Sequence, residues 1–257
     1  MRFETILLGI IQGLTEGFPV SSTGHLKLAE RALRLQLPSL FTIILHAGTL
    51  AATTIFFRKD IEKMLRALIR LDLSRSEGGT IFQRIIIGTI FTAITGLVTI
   101  IIEPLFYEVR AMGILFLLSG LSTYLSRIRI PEKRHISFKE AALIGAVQGF
   151  SLLPGLSRSG LTISAALMLG VEREYSFKFS FLLSIPAVLG GLIITLITQH
   201  EILYKTGLEI EDIFFGILTS ALLGYISLKL LKKTLRYFHN FAFYPIFLGL
   251  LLTLLGG

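Results

Sequence analysis

Long apolar runs separated by short charged loops dominate this chain. Six of them, Leu37 to Phe57, Ile85 to Ile102, Ala111 to Ser126, Phe177 to Thr198, Ile213 to Leu231 and Phe241 to Leu255, read as predicted transmembrane helices. A bilayer-crossing helix needs roughly 17 to 25 residues, so the shortest of the six are marginal spans. Two further apolar segments do not fit as simple spans. Each has a short helix of about three turns, a Pro/Gly/Ser break and a second short helix. Backbone exposed by such a break is tolerated at membrane depth only inside protein or beside a water-filled cavity. A re-entrant helical hairpin meets that condition.

The two broken segments are copies of one another. Gly9-x-x-Gln12-Gly13 and Ser21-Ser22-Thr23-Gly24 return, at one gap-free offset of 136 residues, as Gly145-x-x-Gln148-Gly149 and Ser157-Arg158-Ser159-Gly160. The same offset pairs Glu4 with Glu140. Three spans follow each copy, so the repeating unit is a hairpin plus three helices. A hairpin returns to its starting side and three spans follow it, so the second unit must be inverted relative to the first. The expected fold is an all-α integral membrane protein of two inverted repeats, 1–126 and 137–257, in a single membrane domain 1–257. Its hairpins should enter from opposite faces and meet near the midplane, as in many inverted-repeat transporters.

Composition supports lipid as the solvent. The chain is 53% hydrophobic and only 16% charged, leaving too few polar residues to cover a soluble surface. It has no cysteine, which removes disulfides and thiolate metal sites. The apolar start contains Gln12 and Glu16, lacks a small-residue cleavage pattern and belongs to the repeat, so it reads as mature protein. The net charge of +8 does not indicate a nucleic-acid partner, because Lys and Arg concentrate in short loops as topology signals. Arg58 to Arg84, Arg127 to Glu140 and Lys229 to His239 hold most of them, whereas Glu103 to Arg110 and Gln199 to Asp212 carry more acid than base. Positive loops mark the cytoplasm, which puts both termini outside. Lys27, Arg31 and Arg34 conflict with that rule and suggest an anionic ligand or lipid instead. Within the first basic loop, Ile61, Met64, Leu65, Leu68 and Ile69 alternate with cations over Lys59 to Leu73, the spacing of an amphipathic helix on the inner leaflet or of an ordinary connector.

The copies differ where chemistry would matter. Glu16 aligns with Leu152, Ser22 with Arg158 and His25 with Leu161. Gln12 and Glu16, four apart, share a helix face near the break. A carboxylate inside an apolar helix is costly and marks a functional site; its structural alternative is an interhelical hydrogen bond or a lone ion pair. Ser21-Ser22-Thr23-Gly24 supplies hydroxyls and free N–H groups at a helix start, a natural anion site, although an N-cap alone would explain one serine. His25 lies three residues from Ser22 on the same face. In the second copy Arg158 opens another helix, with Thr162 four residues on, and its planar fork suits bidentate phosphate binding. Arg158 could equally pair with Glu16. His46 is a candidate partner of the site or a satisfied core histidine. His135, His200 and His239 are expected in solvated loops.

Gln12-x-x-x-Glu16 with Pro19-Val20-Ser21-Ser22-Thr23-Gly24-His25, and Pro154-Gly155-Leu156-Ser157-Arg158-Ser159-Gly160-Leu161-Thr162, resemble the signatures of the undecaprenyl pyrophosphate phosphatases of the BacA type. The resemblance covers both motifs, their spacing and essentially the whole chain. It implies a membrane hydrolase removing the terminal phosphate of a C55 polyprenyl diphosphate, thereby recycling the carrier of cell-wall precursors, with a role in bacitracin resistance. It also implies a divalent cation such as Mg²⁺ or Ca²⁺ and a site open to the outer face of the plasma membrane. The family accepts Gln or Glu at the first position, and Gln12 leaves one carboxylate here rather than two. On this reading Glu16 is base or metal partner. Ser22 is the nucleophile, with His25 activating it or protonating the leaving phosphate; His25 itself or an activated water are the other candidates. Arg158, Ser157 and Thr162, with the backbone at Gly24 and Gly160, clamp the diphosphate, and Gln12, Ser21, Thr23 and Ser159 complete the binding set. The partners are the polyprenyl diphosphate and the bilayer, with a homodimer left open. The type 2 phosphatidic acid phosphatases are excluded, because no His stands six residues after Arg158. A transporter or flippase of polyprenyl phosphate lipids is the competing function, since broken helices in inverted repeats typify alternating access. A mere scaffold would leave Glu16, His25 and Arg158 unexplained.

Overall fold

The computed structural model describes residues 2–35, 39–128, 133–205 and 209–256. Every predicted apolar stretch is helical, and no strand is found among the described residues. The first hairpin is α1 (Arg2–Gly17) and α2 (Ser22–Ala32). It is followed by α3 (Ser39–Phe56), the amphipathic α4 (Arg58–Ile69), α5 (Glu77–Ile102) and α6 (Val109–Leu125). The second hairpin is α7 (Phe138–Phe150) and α8 (Arg158–Met168), followed by α9 (Arg173–Lys205), α10 (Ile210–Thr234) and α11 (Phe243–Leu255). The predicted start of the first span at Leu37 lies outside the described residues, as do parts of the loops around 129–132 and 206–208. His200 falls within α9 rather than in a loop. His135 is exposed and His239 half-buried.

Three helical segments, Glu77–Phe106, Arg173–Thr198 and Ile210–Leu255, are each long and apolar enough to cross a bilayer. α3 meets that test only together with α4, from which it is bent by 76°, and α6 is a shorter apolar helix. The outward faces of these helices are Ile and Leu: Ile86, Ile90, Ile94, Leu97 and Ile101 are exposed on α5. Their inward faces hold small polar residues, with Thr99, Ser119, Thr123, Ser180, Ser220 and Ser227 all buried. Small hydroxyl residues thus share the interior with the apolar core while Ile and Leu also face outward. That distribution is the one expected where lipid covers the apolar side and helix contacts depend on close packing of small residues. The chain is thus a multi-pass membrane protein.

The two halves exchange partners in the same way. α1 packs on α10 and α7 packs on α5, so the first hairpin helix of each half lies on the second span of the other. Both contacts bring backbones together. A Cβ at Gly13 would lie 2.7 Å from Ser220 O and 2.9 Å from Gly224 N, and one at Gly149 would lie 2.6 Å from Gly96 N and 2.8 Å from Thr92 O. Hydroxyls then bridge the helices: Ser227 Oγ donates to Gly13 O at 2.8 Å, and Thr92 Oγ1 to Gly145 O at 2.9 Å. α4 behaves as its pattern predicts, with Ile61 and Met64 packed on the core and Leu65, Leu68 and Ile69 exposed.

A methyl group at these contacts should cost about 1 to 3 kcal/mol, the usual penalty of overpacking. Gly13→Ala and Gly149→Ala should each lower the melting temperature of the purified protein. Gly190→Ala, where an added Cβ meets nothing within 4 Å, should leave it unchanged or raise it. Equal melting temperatures for all three would contradict this account of the helix contacts.

Candidate active site

The two hairpin breaks meet. α1 ends at Gly17, and Ser21 turns the chain into α2 with φ 68°, a left-handed conformation rare for a residue carrying a Cβ. Such a residue costs roughly 1 to 3 kcal/mol unless its surroundings hold it. They do so through its side chain. Ser21 Oγ accepts the N–H of Gly24, capping α2 at 3.3 Å, and the N–H of Gly155 from the other break at 3.1 Å. Gly155 has φ +110°, and a Cβ there would meet Met112 O at 2.7 Å, so the second turn requires glycine. Ser157 repeats the cap on α8, accepting from Gly160 N at 3.1 Å, while its own N–H donates to Ser119 Oγ at 3.0 Å. Ser159 Oγ donates to Phe18 O across the breaks at 3.3 Å.

Glu16 sits where the hairpins touch. Its Oε1 accepts from Arg158 Nη2 at 2.5 Å. Its Oε2 accepts from Ser22 Oγ at 2.5 Å and from Gln12 Nε2 at 3.2 Å. The ion pair is largely buried, with 10% of the Glu16 and 14% of the Arg158 side chain exposed. Arg158 also lies over the Phe181 ring, 4.9 Å from its centroid, which fixes the guanidinium plane. Gln12 Nε2 donates further to His46 Nδ1 at 2.9 Å and to Thr49 Oγ1 at 3.4 Å. Turning the amide round would set its oxygen against the Glu16 carboxylate, so this orientation is the consistent one. His46 Nδ1 therefore accepts, 3.6 Å from Glu16 Oε2, and joins the site as a partner rather than as an isolated core histidine.

Of the residues expected at the site, Gln12, Glu16, Ser22 and Arg158 form one hydrogen-bonded cluster, and Ser21, Gly24, Ser157, Ser159 and Gly160 build the paired turns beneath it. Thr23 stands half-buried in the first turn of α2. Two others are directed elsewhere. Thr162 is buried, donates to Arg158 O at 2.8 Å and shares a hydrogen with Ser180 Oγ at 2.6 Å, so its hydroxyl is spent within the helices. His25 makes no hydrogen bond to Ser22. Its Nδ1 contacts Ser21 O at 2.7 Å and its Nε2 contacts Tyr244 Oη at 2.7 Å. Spacing alone missed Thr49, Ser119, Phe181 and Tyr244, which arrive from helices distant in sequence and belong to neither motif.

Two buried polar atoms of the cluster have no partner, Gln12 Oε1 and Arg158 Nη1. One is an acceptor and the other a donor, so the site is incomplete towards both a cation and an anion. No group of three or more His, Cys, Asp or Glu side chains gathers among the described residues. A hard divalent cation accepts one carboxylate with amide and phosphate oxygens. Glu16 and Gln12 fit that role when the substrate supplies the other ligands, and do not form a cage by themselves.

A cavity of about 750 Å³ lies elsewhere, lined by Asp60, Glu77, Arg84, Lys178 and Lys232 over the rings of Phe57 and Phe177. Those rings stack on Phe181, so an aromatic layer separates this cavity from Arg158.

Residues 5–251 match the family described as bacitracin resistance protein BacA. An undecaprenyl-diphosphatase of Methanosphaera stadtmanae is 36% identical over 271 residues, covering 98% of this chain and 97% of its own. The undecaprenyl-diphosphatase of Korarchaeum cryptofilum is 35% identical, covering 96% of each chain. That of Carboxydothermus hydrogenoformans is 37% identical over 91% of this chain and 88% of its own. With both signature motifs joined in one buried site and the match running almost end to end, the chain belongs to the BacA family.

Proposed function

We infer that this chain hydrolyses undecaprenyl diphosphate to undecaprenyl phosphate and inorganic phosphate, returning the lipid carrier to cell-wall synthesis. The observation that carries the chemistry is the Glu16 carboxylate, which accepts the Ser22 hydroxyl proton on one oxygen while Arg158 holds the other. A serine hydroxyl is a weak nucleophile until a base takes its proton, and Glu16 Oε2 is the base in contact with it. Ser22 Oγ attacks the terminal phosphorus and its proton passes to Glu16. The bond from phosphorus to the bridging oxygen breaks, and undecaprenyl phosphate leaves. Water then attacks the phosphoserine and releases inorganic phosphate, while Glu16 returns the proton to Ser22. His25, which does not touch Ser22, takes up the proton of that water and hands it to the departing phosphate, so Ser22, Glu16 and His25 all return to their starting states. Arg158, through Nη2 and the unpartnered Nη1, neutralises charge on the non-bridging oxygens as it spreads in the transition state. The capped starts of α2 and α8 direct their dipoles towards the same anion. A bound Mg²⁺ or Ca²⁺, held by Glu16 and Gln12 together with the diphosphate, would supply further charge neutralisation.

We place the site on the outer side of the plasma membrane with both termini outside. The density of cations in the Arg58 to Arg84 and Lys229 to His239 segments supports this, as does the exchange of equivalent contacts between halves, which is what two inverted repeats would produce.

Phosphate release from C55 diphosphate should fall about 10²- to 10⁴-fold in Ser22→Ala and in Glu16→Gln, the range for loss of an acid–base partner. Arg158→Lys keeps the charge that Glu16 needs but removes the fork, and should reduce turnover in the same direction. Full turnover by Ser22→Ala would transfer the attack to water. EDTA should abolish turnover without lowering the melting temperature, and Mg²⁺ should restore it. A lowered melting temperature would instead indicate an ion built into the fold. Because the chain has no cysteine, a single cysteine appended at the C-terminus reports topology, and impermeant maleimide should label it on intact cells.

A further inference from the structure

Tyr244 lies outside both motifs, on the first turn of α11, yet its hydroxyl is 2.7 Å from His25 Nε2. Its delivery there is over-determined. α11 packs on α6 with backbone contact, since a Cβ at Gly249 would lie 2.7 Å from Gly113 O and one at Gly120 would lie 2.6 Å from Ile246 Cγ1. The same α6 carries Phe116, fully buried, whose ring meets the His25 ring edge-on at 5.4 Å. The Tyr244 ring lies nearly parallel to the imidazole, centroids 5.6 Å apart and 15° from parallel. Two rings and two hydrogen bonds therefore hold one histidine.

The hydrogen bonds fix more than position. Ser21 O can only accept, so His25 Nδ1 carries the hydrogen at 2.7 Å. In the neutral ring Nε2 is then the bare nitrogen, and the Tyr244 hydroxyl donates to it. Because Ser21 is also the strained residue whose Oγ joins the two breaks, the imidazole is tied to the turn that sets the geometry of the site. We propose that Tyr244 relays protons to His25: its hydroxyl holds the ring in the Nδ1–H tautomer by donating to the Nε2 lone pair, and its oxygen takes the proton of the attacking water as its own hydrogen passes to Nε2. A hydroxyl on α11 thereby makes the last helix of the second half a working part of the first hairpin. The proposal rests on the assignment of His25 to proton transfer.

Phosphate release from C55 diphosphate by wild type, Tyr244→Phe, His25→Ala and the double variant tests it. Tyr244→Phe keeps the stacked ring and loses only the hydroxyl. It should lower kcat about tenfold with KM within about twofold, since a tyrosine that acts only through His25 leaves substrate binding unchanged. In the His25→Ala background the same substitution should have no further effect. Unchanged kcat in Tyr244→Phe, or an undiminished effect in the double variant, would overturn the proposal while leaving the role of His25 intact. Wild-type turnover by His25→Ala would remove that role and the proposal with it. Nitrogen-15 NMR of histidine-labelled wild-type protein gives a readout that needs no stable Tyr244 variant. The His25 signals, identified by their loss in His25→Ala, should show a protonated Nδ1 and a hydrogen-bonded, unprotonated Nε2. The opposite tautomer would refute the arrangement.

Discussion

A helix broken at membrane depth leaves N–H and C=O groups that lipid cannot satisfy, and here each break answers the need of the other. Ser21 Oγ takes the free Gly24 N–H in the first turn of α2 and, in the same place, the Gly155 N–H of the second hairpin. Ser159 returns a hydroxyl to Phe18 O, and Ser119 on α6 accepts the N–H of Ser157. Neither hairpin is satisfied alone. Ser21 holds its left-handed conformation, φ 68°, at this junction. Strain of this kind persists where the surroundings fix it, and such places are commonly functional.

The Glu16–Arg158 pair depends on that junction. Two charges removed from water attract strongly but lose hydration, so a buried pair contributes little net stability unless further hydrogen bonds complete it. Glu16 has them from Ser22 and Gln12. Arg158 has them only in part, since Nη1 remains without a partner. The imbalance leaves one buried guanidinium donor free for an acceptor, as the proposed phosphate clamp requires. Uncovering a strong donor in a low-dielectric setting is costly in the free protein, and a phosphate oxygen arriving there recovers that cost at the point where charge develops.

Much of this was legible in the sequence because duplication makes comparison internal. The shared offset identified the two breaks, and the departures from it, Glu16 against Leu152 and Ser22 against Arg158, identified the charged residues that meet. Helical spacing was a weaker guide inside the site. His25 and Ser22 stand three apart on α2, yet Ser22 turns back to α1 while His25 is held by Phe116 and Tyr244 from α6 and α11. Thr162 follows Arg158 by one turn but finds Ser180 on α9. In each case the deciding partner belongs to another helix, and no pattern along one helix encodes which neighbour it will meet. The loop charges illustrate the same limit. Lys27 seemed misplaced for its side of the membrane, but it pairs at 3.0 Å with Glu30, a buried carboxylate that also accepts from Thr42.

An aromatic layer lies against Arg158. Phe181 carries the guanidinium on one face and stacks on Phe57 and Phe177, which floor the charged cavity on the side of the basic loops. Above that cavity Lys178 joins Asp60 of α4 at 3.1 Å and Glu77 of α5 at 3.0 Å, closing three helices around it. A diphosphate headgroup approaching from that side would have to part both the ion pairs and the rings. At the hairpin breaks the half-buried His25 lies beside the exposed Tyr244. Rings that contact a cation through their π-faces also exclude water from it, which strengthens every charge interaction above them. A charge pair backed by such a layer therefore interacts more strongly than one open to water.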